Sequence, residues 1–496
     1  MPCKIQLVMC ADDGREDTVA DVIVLQKDYQ RLEHVGLTLA EAKQLLTTSQ
    51  QRLLAQQVTA FLAARSRCDH CGTALQSKGQ HTRTFRTLFG TFKLDSPRLD
   101  LCRCQRRKTT TFRPLTSLLT ESIAPELLFI ETKWVSLVSY GLTVQALKDF
   151  LPVDATLDVK PVRHHTLTVA QRCEAELGEE QVFFVEGCQR DWEHLPIPDG
   201  PSTVGIDGGD RREWDENQRQ FEVIVGKRTL AFKRKEEADV SSSRRFGFVQ
   251  TFDPKPKWRL FEVLKSHGMQ MNQQITFVSD GGDTVRDLQL YLYPDAEPIF
   301  DWFHRTMRLT VLEQYAKGLV PCAQALGEEI RQKLERLKWS LWHGNLYKAL
   351  GKIADIASLI SNFEETYPKF KQVAKAVEEF RTYIEKNGHF IPNYGARSRY
   401  GEAIATGFVE STVNQVVSMR FCKRQQMPWS KRGAPLLLQT RVKTLNRELG
   451  TVFKQWYPDM QVEELAEAAS FPAPPCSLIA PLRASAMACG CMIAAA

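Results

Sequence analysis

The 496 residues predict a mixed α/β core interrupted by an all-α insertion. Three observations carry that expectation. A β-prone run ending in an acid and two glycines occurs twice, as Val204-Gly205-Ile206-Asp207-Gly208-Gly209 and Ile275-Thr276-Phe277-Val278-Ser279-Asp280-Gly281-Gly282. Strand-like and helix-like segments follow one another between and after these runs. From about residue 305 to residue 395, apolar residues recur only at helical spacing.

Length alone suggests about two to four domains. Hydrophobic content of 43% and charged content of 25% are those of a globular protein. Lys and Arg (65) exceed Asp and Glu (59), a net charge of +6, so any polyanion partner must be argued from clustering. No apolar run approaches the roughly 18–20 residues of a membrane span, and Met1 to Gln6 lacks the apolar core of a secretory signal. No membrane partner and a cytoplasmic location are therefore expected. The odd count of 13 Cys argues against a disulfide framework.

Residues 1–66 read as a β-prone opening (Ile5, Leu7, Val8, then Val19, Val22, Ile23, Val24) and a helix. Thr38 and Glu41 form a capping box at the start of that helix. Residues 67–113 place Cys68-x-x-Cys71 and Cys102-x-Cys104 on either side of a hairpin spanning Thr84 to Leu94. Four thiolates at the two ends of a small hairpin suit a structural, tetrahedral zinc, as in a zinc ribbon. Arg106, Arg107, Lys108 and Arg113 follow as a basic cluster suited to phosphates. Residues 114–190 predict helices over Glu126–Tyr140, Thr143–Phe150 and His165–Leu177, compatible with a helix-turn-helix-like DNA-binding region. Arg163, His164, His165 and Arg172 fall at or near the start of the third. Pro196, Pro198, Gly200 and Pro201 mark a linker.

From 203 to 457 the order is β-β-β-α-β-α-β, then the helical insertion, then a helix over Gly407–Cys422. Asp207 and Asp280 are each expected at a strand end, followed by a tight turn. The last strand is expected over Ala296–Phe303. This order, with acids on the first and fourth strands, is that of the ribonuclease H-like fold, in which those two strands are neighbours. Paired carboxylates are how hard divalent cations are held for phosphoryl chemistry. Glu410 is the candidate third ligand, 130 residues beyond Asp280. Its competitor, Glu402, lies in a Gly- and Arg-rich loop. Trp339 and Trp342 read as core, and Phe471 to Ala496 as part of a disordered tail (465–496).

The chain resembles DDE transposases of bacterial insertion sequences, of the ISKra type. The residues that carry the likeness are Gly205-Ile206-Asp207-Gly208-Gly209, Ser279-Asp280-Gly281, Asp301-Trp302-Phe303-His304, and Gly407-Phe408-Val409-Glu410-Ser411. Arg420 and Met427-Pro428-Trp429-Ser430 follow. The likeness covers roughly residues 36–457, with the Cys-x-x-Cys and its hairpin resembling the family's leading domain. It implies binding of double-stranded DNA (transposon ends and target), metal-dependent cleavage and strand transfer, and a homo-oligomer on paired ends in a bacterial, nucleoid-associated setting. Two Mg²⁺ ions about 3.5–4 Å apart, with Mn²⁺ as substitute, can activate the nucleophile and stabilise the leaving oxygen. Asp207 is expected to bridge them, with Asp280 and Glu410 on one each. His304 is expected to order the site or donate to the scissile phosphate. Trp429 reads as a core residue or a base-stacking one, and Arg420, Lys423, Arg424, Lys431 and Arg432 as phosphate contacts. The rival readings are a ribonuclease H-like nuclease without strand transfer, and a domesticated DNA-binding protein without catalysis.

Overall fold

The structure is a computed structural model that describes residues 2–9, 18–27, 30–104, 111–179, 188–196, 201–212, 220–230, 244–250, 252–292, 296–321, 323–362, 370–422 and 430–462. Arg106, Arg107, Lys108, Lys423, Arg424, Trp429 and the tail lie outside the described residues.

The opening β-prone stretch is an antiparallel hairpin of β1 (Pro2–Met9) and β2 (Thr18–Gln26). Helix α1 (Leu39–Ala64) begins as its sequence predicts. The Thr38 side chain accepts from the Glu41 backbone, and Glu41 accepts from the Thr38 backbone at 2.8 Å. Leu54 and Val58 of α1 pack on the second hairpin, β3 (Ser77–Thr87) and β4 (Gly90–Asp100), through Phe92 and Leu94. A short strand, β5 (Thr111–Phe112), adds to β4.

After a single turn, α2 (Leu115–Leu118), come α3 (Pro125–Leu137), α4 (Tyr140–Phe150) and α5 (Val159–Glu176). The third of these starts six residues before the expected His165, because Pro161 falls in its first turn, where no helical N–H is lost. His165 is therefore mid-helix, and its Nδ1 meets the buried Glu131 of α3 at 2.7 Å. Arg172 is also engaged internally, stacked 4.0 Å above the Trp456 ring. Arg163 and His164 stay exposed.

A short helix, α6 (Gln189–Glu193), precedes the central sheet. Its strands are β6 (Ser202–Arg212), β7 (Gln220–Leu230), β8 (Arg244–Val249), then β9 (Ile275–Ser279) after α7 (Pro256–Ser266), and β10 (Glu297–Phe300) after α8 (Asp283–Leu292). Their order across the sheet is β10-β9-β6-β7-β8. The first and fourth strands are thus neighbours, paired in parallel, while β7 and β8 run antiparallel. Val204, Ile206, Ile224, Phe246 and Phe248 face α7 and α8. Val223, Val225 and Val249 face the other way, into a core shared with α3, α4 and α5. The later helical segments 407–422 and 433–445 lie directly on that face, and the helical region before the sheet packs on them in turn as part of the same core.

The insertion follows as α9 (Trp302–Leu319), α10 (Gln324–Trp342), α11 (Leu346–Ser361) and α12 (Phe370–Lys386), around its own aliphatic core. Trp342 packs against Trp302 at 4.9 Å between ring centres, as a core residue should. Trp339 does not: it points outward on α10 and is 56% exposed. After α13 (Tyr394–Arg399), α14 (Gly407–Val413) continues as a π-helix over Asn414–Cys422. The chain closes with α15 (Gly433–Leu445) and α16 (Leu449–Trp456). Arg420 is fully buried and donates to the Val135 carbonyl at 3.0 Å, so it ties the π-helix to α3 and is no phosphate contact. Among the described residues, no helix is long and apolar enough to cross a membrane.

Gly205 sets how closely α14 approaches the sheet. A Cβ there would fall inside contact distance of Val409 and lie 2.6 Å from Phe408 Cζ. Gly205→Val is expected to overpack this contact and lower stability by about 1–3 kcal/mol, read as a fall in melting temperature. The same change at exposed Gly351, where nothing stands within 4 Å of an added Cβ, should cost less than half of that.

Candidate active site

Asp207 is not at a strand end. β6 runs on, paired with β7 from Asp207↔Val225 to Arg212↔Gln220, so Gly208 and Gly209 are strand residues and make no turn. What ends here is the parallel pairing: the last partners of β6 and β9 are Ile206 and Ser279. The next residue on each strand is an acid, Asp207 on one and Asp280 on the other. The second Asp-Gly-Gly does turn. Gly281 has φ +87, and an added Cβ would lie 2.6 Å from Asn387 Oδ1, so only glycine suits it. The Asp280 carboxylate folds back to accept from Gly282 N at 3.1 Å. From the insertion, Tyr383 Oη donates to the Asp280 carbonyl at 3.3 Å.

The expected last strand stops at Phe300, and Asp301 instead caps α9. Its buried carboxylate accepts from Phe303 N at 2.9 Å, His304 N at 3.2 Å, Thr406 N at 2.9 Å and Thr406 Oγ1 at 2.6 Å, and pairs with His304 Nδ1 at 2.6 Å. Its own N–H donates to the Ser279 carbonyl at 2.8 Å. One residue thus joins the end of β9 through its backbone, and the start of α9 and the segment leading into α14 through its side chain. Arg305, also buried, donates to the Phe300 and Asp301 carbonyls and to Tyr394 Oη, which holds the same junction from behind.

The side chains brought together are Asp207, Asp280, Glu410, His304 and Asp301. Burial first, then the charge of Asp280, with further push from Glu410 and Asp301, raises the Asp207 carboxyl to about 6; His304 works against this. Burial opposes the charged form of His304, but its bond to Asp301 and the charges of Asp301, Asp207 and Asp280 outweigh it and lift it to about 9. For Asp301 burial is again opposed and overcome, by His304 and Thr406, which hold its carboxyl below the usual range. At neutral pH the pair is an imidazolium bound to a carboxylate, with Nε2 the ring nitrogen that Asp301 does not hold. Glu402, the competitor of Glu410, is spent on Arg397 at 2.5 Å.

The cysteines form the second candidate centre. Sγ of Cys68, Cys71, Cys102 and Cys104 all lie within 4.8 Å of one another, with Cys68 to Cys104 at 3.5 Å and Cys71 to Cys102 at 3.3 Å. A tetrahedron of sulfurs about 2.3 Å from zinc has edges of about 3.8 Å, so the four fit a metal ion such as zinc. Gly72, at φ +71, makes the turn inside the first pair, where its N–H donates to Cys68 O at 2.9 Å. Hydrogen bonding with Thr73, then with Cys102 and Cys104, pulls the Cys71 thiol down to about 6, toward the thiolate a metal requires. Among the described residues, this is the group of His, Cys, Asp and Glu packed closely enough to share one ion; the acids at the sheet are set more loosely.

Three positions that shape the site were given no role of their own from the sequence. Thr406 and Tyr383 carry no local signal at all. Gly205 does, since a glycine inside a strand marks close approach of another segment. No protein-family model matches the chain, and no curated protein matches it.

Two outcomes follow from this geometry. The folded carboxyl of Asp207 titrates near 6, against 3.8 for an ordinary Asp, so its ionisation is penalised by folding. Stability is therefore lost as pH rises through this window. In EDTA, Asp207→Asn should be more stable than wild type above pH about 6, on the order of 3 kcal/mol, with the gap closing toward pH 4; a gap independent of pH contradicts the clustering. For the cysteines, wild type should bind about one zinc per chain, and Cys68→Ser should lose most of it by elemental analysis.

Proposed function

We propose that the five-stranded sheet is a ribonuclease H-like core and that the chain is a DDE transposase. It would bind double-stranded transposon ends and target DNA and catalyse metal-dependent cleavage and strand transfer. The observation that carries this reading is the adjacency of Asp207 and Asp280 on the paired first and fourth strands, with Glu410 brought against the same strand by α14 at Gly205.

The donors are carboxylate oxygens, which suit Mg²⁺ or Mn²⁺, and a divalent cation would relieve the repulsion from Asp280 and Glu410 that adds to burial in raising Asp207. Bound there, two such ions would supply an activated water or 3′-hydroxyl and a stabilised leaving oxygen. The residues that would hold them are Asp207, Asp280 and Glu410. The looser spacing of these acids, compared with the cysteines, accords with ions that keep several waters. His304, held as an imidazolium by Asp301, is a donor suited to a phosphate oxygen beside the acids. It also lowers the local negative charge that a DNA backbone must approach. Zinc at the four cysteines would brace β3 and β4 as part of the DNA-binding front of the molecule. A homo-oligomer on paired ends accompanies this reading.

Wild type is expected to nick a labelled transposon-end duplex in Mg²⁺ or Mn²⁺ and to join it to a target duplex. Asp207→Asn and Glu410→Gln should each lower cleavage by at least about 100-fold while leaving end binding within about twofold. Cleavage without joining would establish a nuclease instead. Binding with no metal-dependent cleavage in wild type would overturn the enzyme reading.

A further inference from the structure

On the face of the sheet that carries Asp207, away from the acids, charges of the other sign accumulate. Lys227 on β7 lies directly opposite Arg245 on β8, and like charges in a cross-strand pair repel. Both are half-buried. Burial and the neighbouring cation depress each of them, Arg245 acting on Lys227 and Arg447 acting on Arg245. Arg447 is the third member, exposed, with the left-handed φ of +61 that favours glycine.

The turn that carries Arg447 is locked onto the sheet edge. Arg245 N donates to Asn446 Oδ1 at 3.0 Å, and Asn446 Nδ2 donates to Arg245 O at 2.7 Å. The Arg245 guanidinium donates to Leu445 O and to Gln415 Oε1, each at 3.1 Å. The nearby Glu448 is taken by Arg244, at 3.2 Å. Among the described residues, no carboxylate pairs with Lys227, Arg245 or Arg447.

Three cations are therefore held together at a cost, by a strained turn and a hydrogen-bonded frame, and among the described residues no anion balances them. We propose that Lys227, Arg245 and Arg447 form a phosphodiester-binding site, separate from the carboxylate centre, that takes a backbone phosphate of duplex DNA. β8 is an edge strand and Arg447 stands in solvent, so the site is open to a long polymer and is not a closed pocket for a small anion. The cluster stands on charge and geometry, its assignment to DNA rests on the function proposed above, and its binding is independent of cleavage at Asp207.

The test titrates a duplex oligonucleotide into the full chain at a series of salt concentrations. Wild type is compared with the double variant Lys227→Gln, Arg447→Gln; Arg245 is kept because it frames the turn. The variant is expected to bind about tenfold more weakly at low salt, with a slope of log K against log salt shallower by about two. Its melting temperature should equal or exceed that of wild type, since a repulsion has been removed. The charge-keeping pair Lys227→Arg, Arg447→Lys should restore the slope. An unchanged slope in the Gln variant overturns the proposal, as does failure of the charge-keeping pair to restore it. Inorganic phosphate that stabilises wild type but not the Gln variant, with equal DNA slopes in both, overturns the assignment to DNA.

Discussion

A single buried carboxylate, that of Asp301, holds the candidate site in register. Buried charge is costly unless it is paired and hydrogen-bonded, and Asp301 meets that condition by gathering donors from the start of α9 and from Thr406, while its own N–H donates to the end of β9. His304 and the start of α9, Thr406 before α14, and through the backbone the end of β9 all converge on it. The two strand-borne acids are placed by sheet register. Glu410 and His304 are not, and their position relative to the sheet depends on this junction. The same interaction makes His304 a cation, so one hydrogen-bonded pair serves both scaffold and electrostatics.

The helical insertion is joined to that scaffold at several points and is not a bystander. Its first helix starts at Asp301, Arg305 packs between Phe300 and Tyr394, and Tyr383 of its last helix reaches the Asp280 carbonyl. A long excursion between the second acid and the third thus returns to the site it left.

Much of this was legible in the residues, and what was not has physical reasons. The capping box at Thr38, the paired cysteines and the four insertion helices follow from local chemistry and periodicity, and the structure has them. Asp207 was legible as a strand residue but not as a mid-strand one. Two glycines after an acid suggest a turn, whereas here β7 continues alongside and keeps them extended. Asp301 reads as part of a strand because Ile299 and Phe300 precede it, whereas its carboxylate caps α9 through Phe303 N and His304 N and also reaches Thr406, far along the chain. Arg420 and Trp339 exchange their expected places. An arginine can be buried where carbonyls such as that of Val135 accept from it, and a tryptophan can face solvent, and neither outcome is visible in helical spacing. The pairing of Lys227 with Arg245 needs the strand register, which the sequence does not contain.

The central claim is that Asp207, Asp280 and Glu410 act together on a divalent cation, and calorimetric titration of Mn²⁺ into the zinc-loaded protein tests it most directly. Wild type should bind Mn²⁺ with release of protons near pH 6, because Asp207 is protonated in part there. Asp280→Asn and Glu410→Gln should each weaken the binding by at least about tenfold. Equal Mn²⁺ affinity in wild type and both variants would contradict a shared metal site.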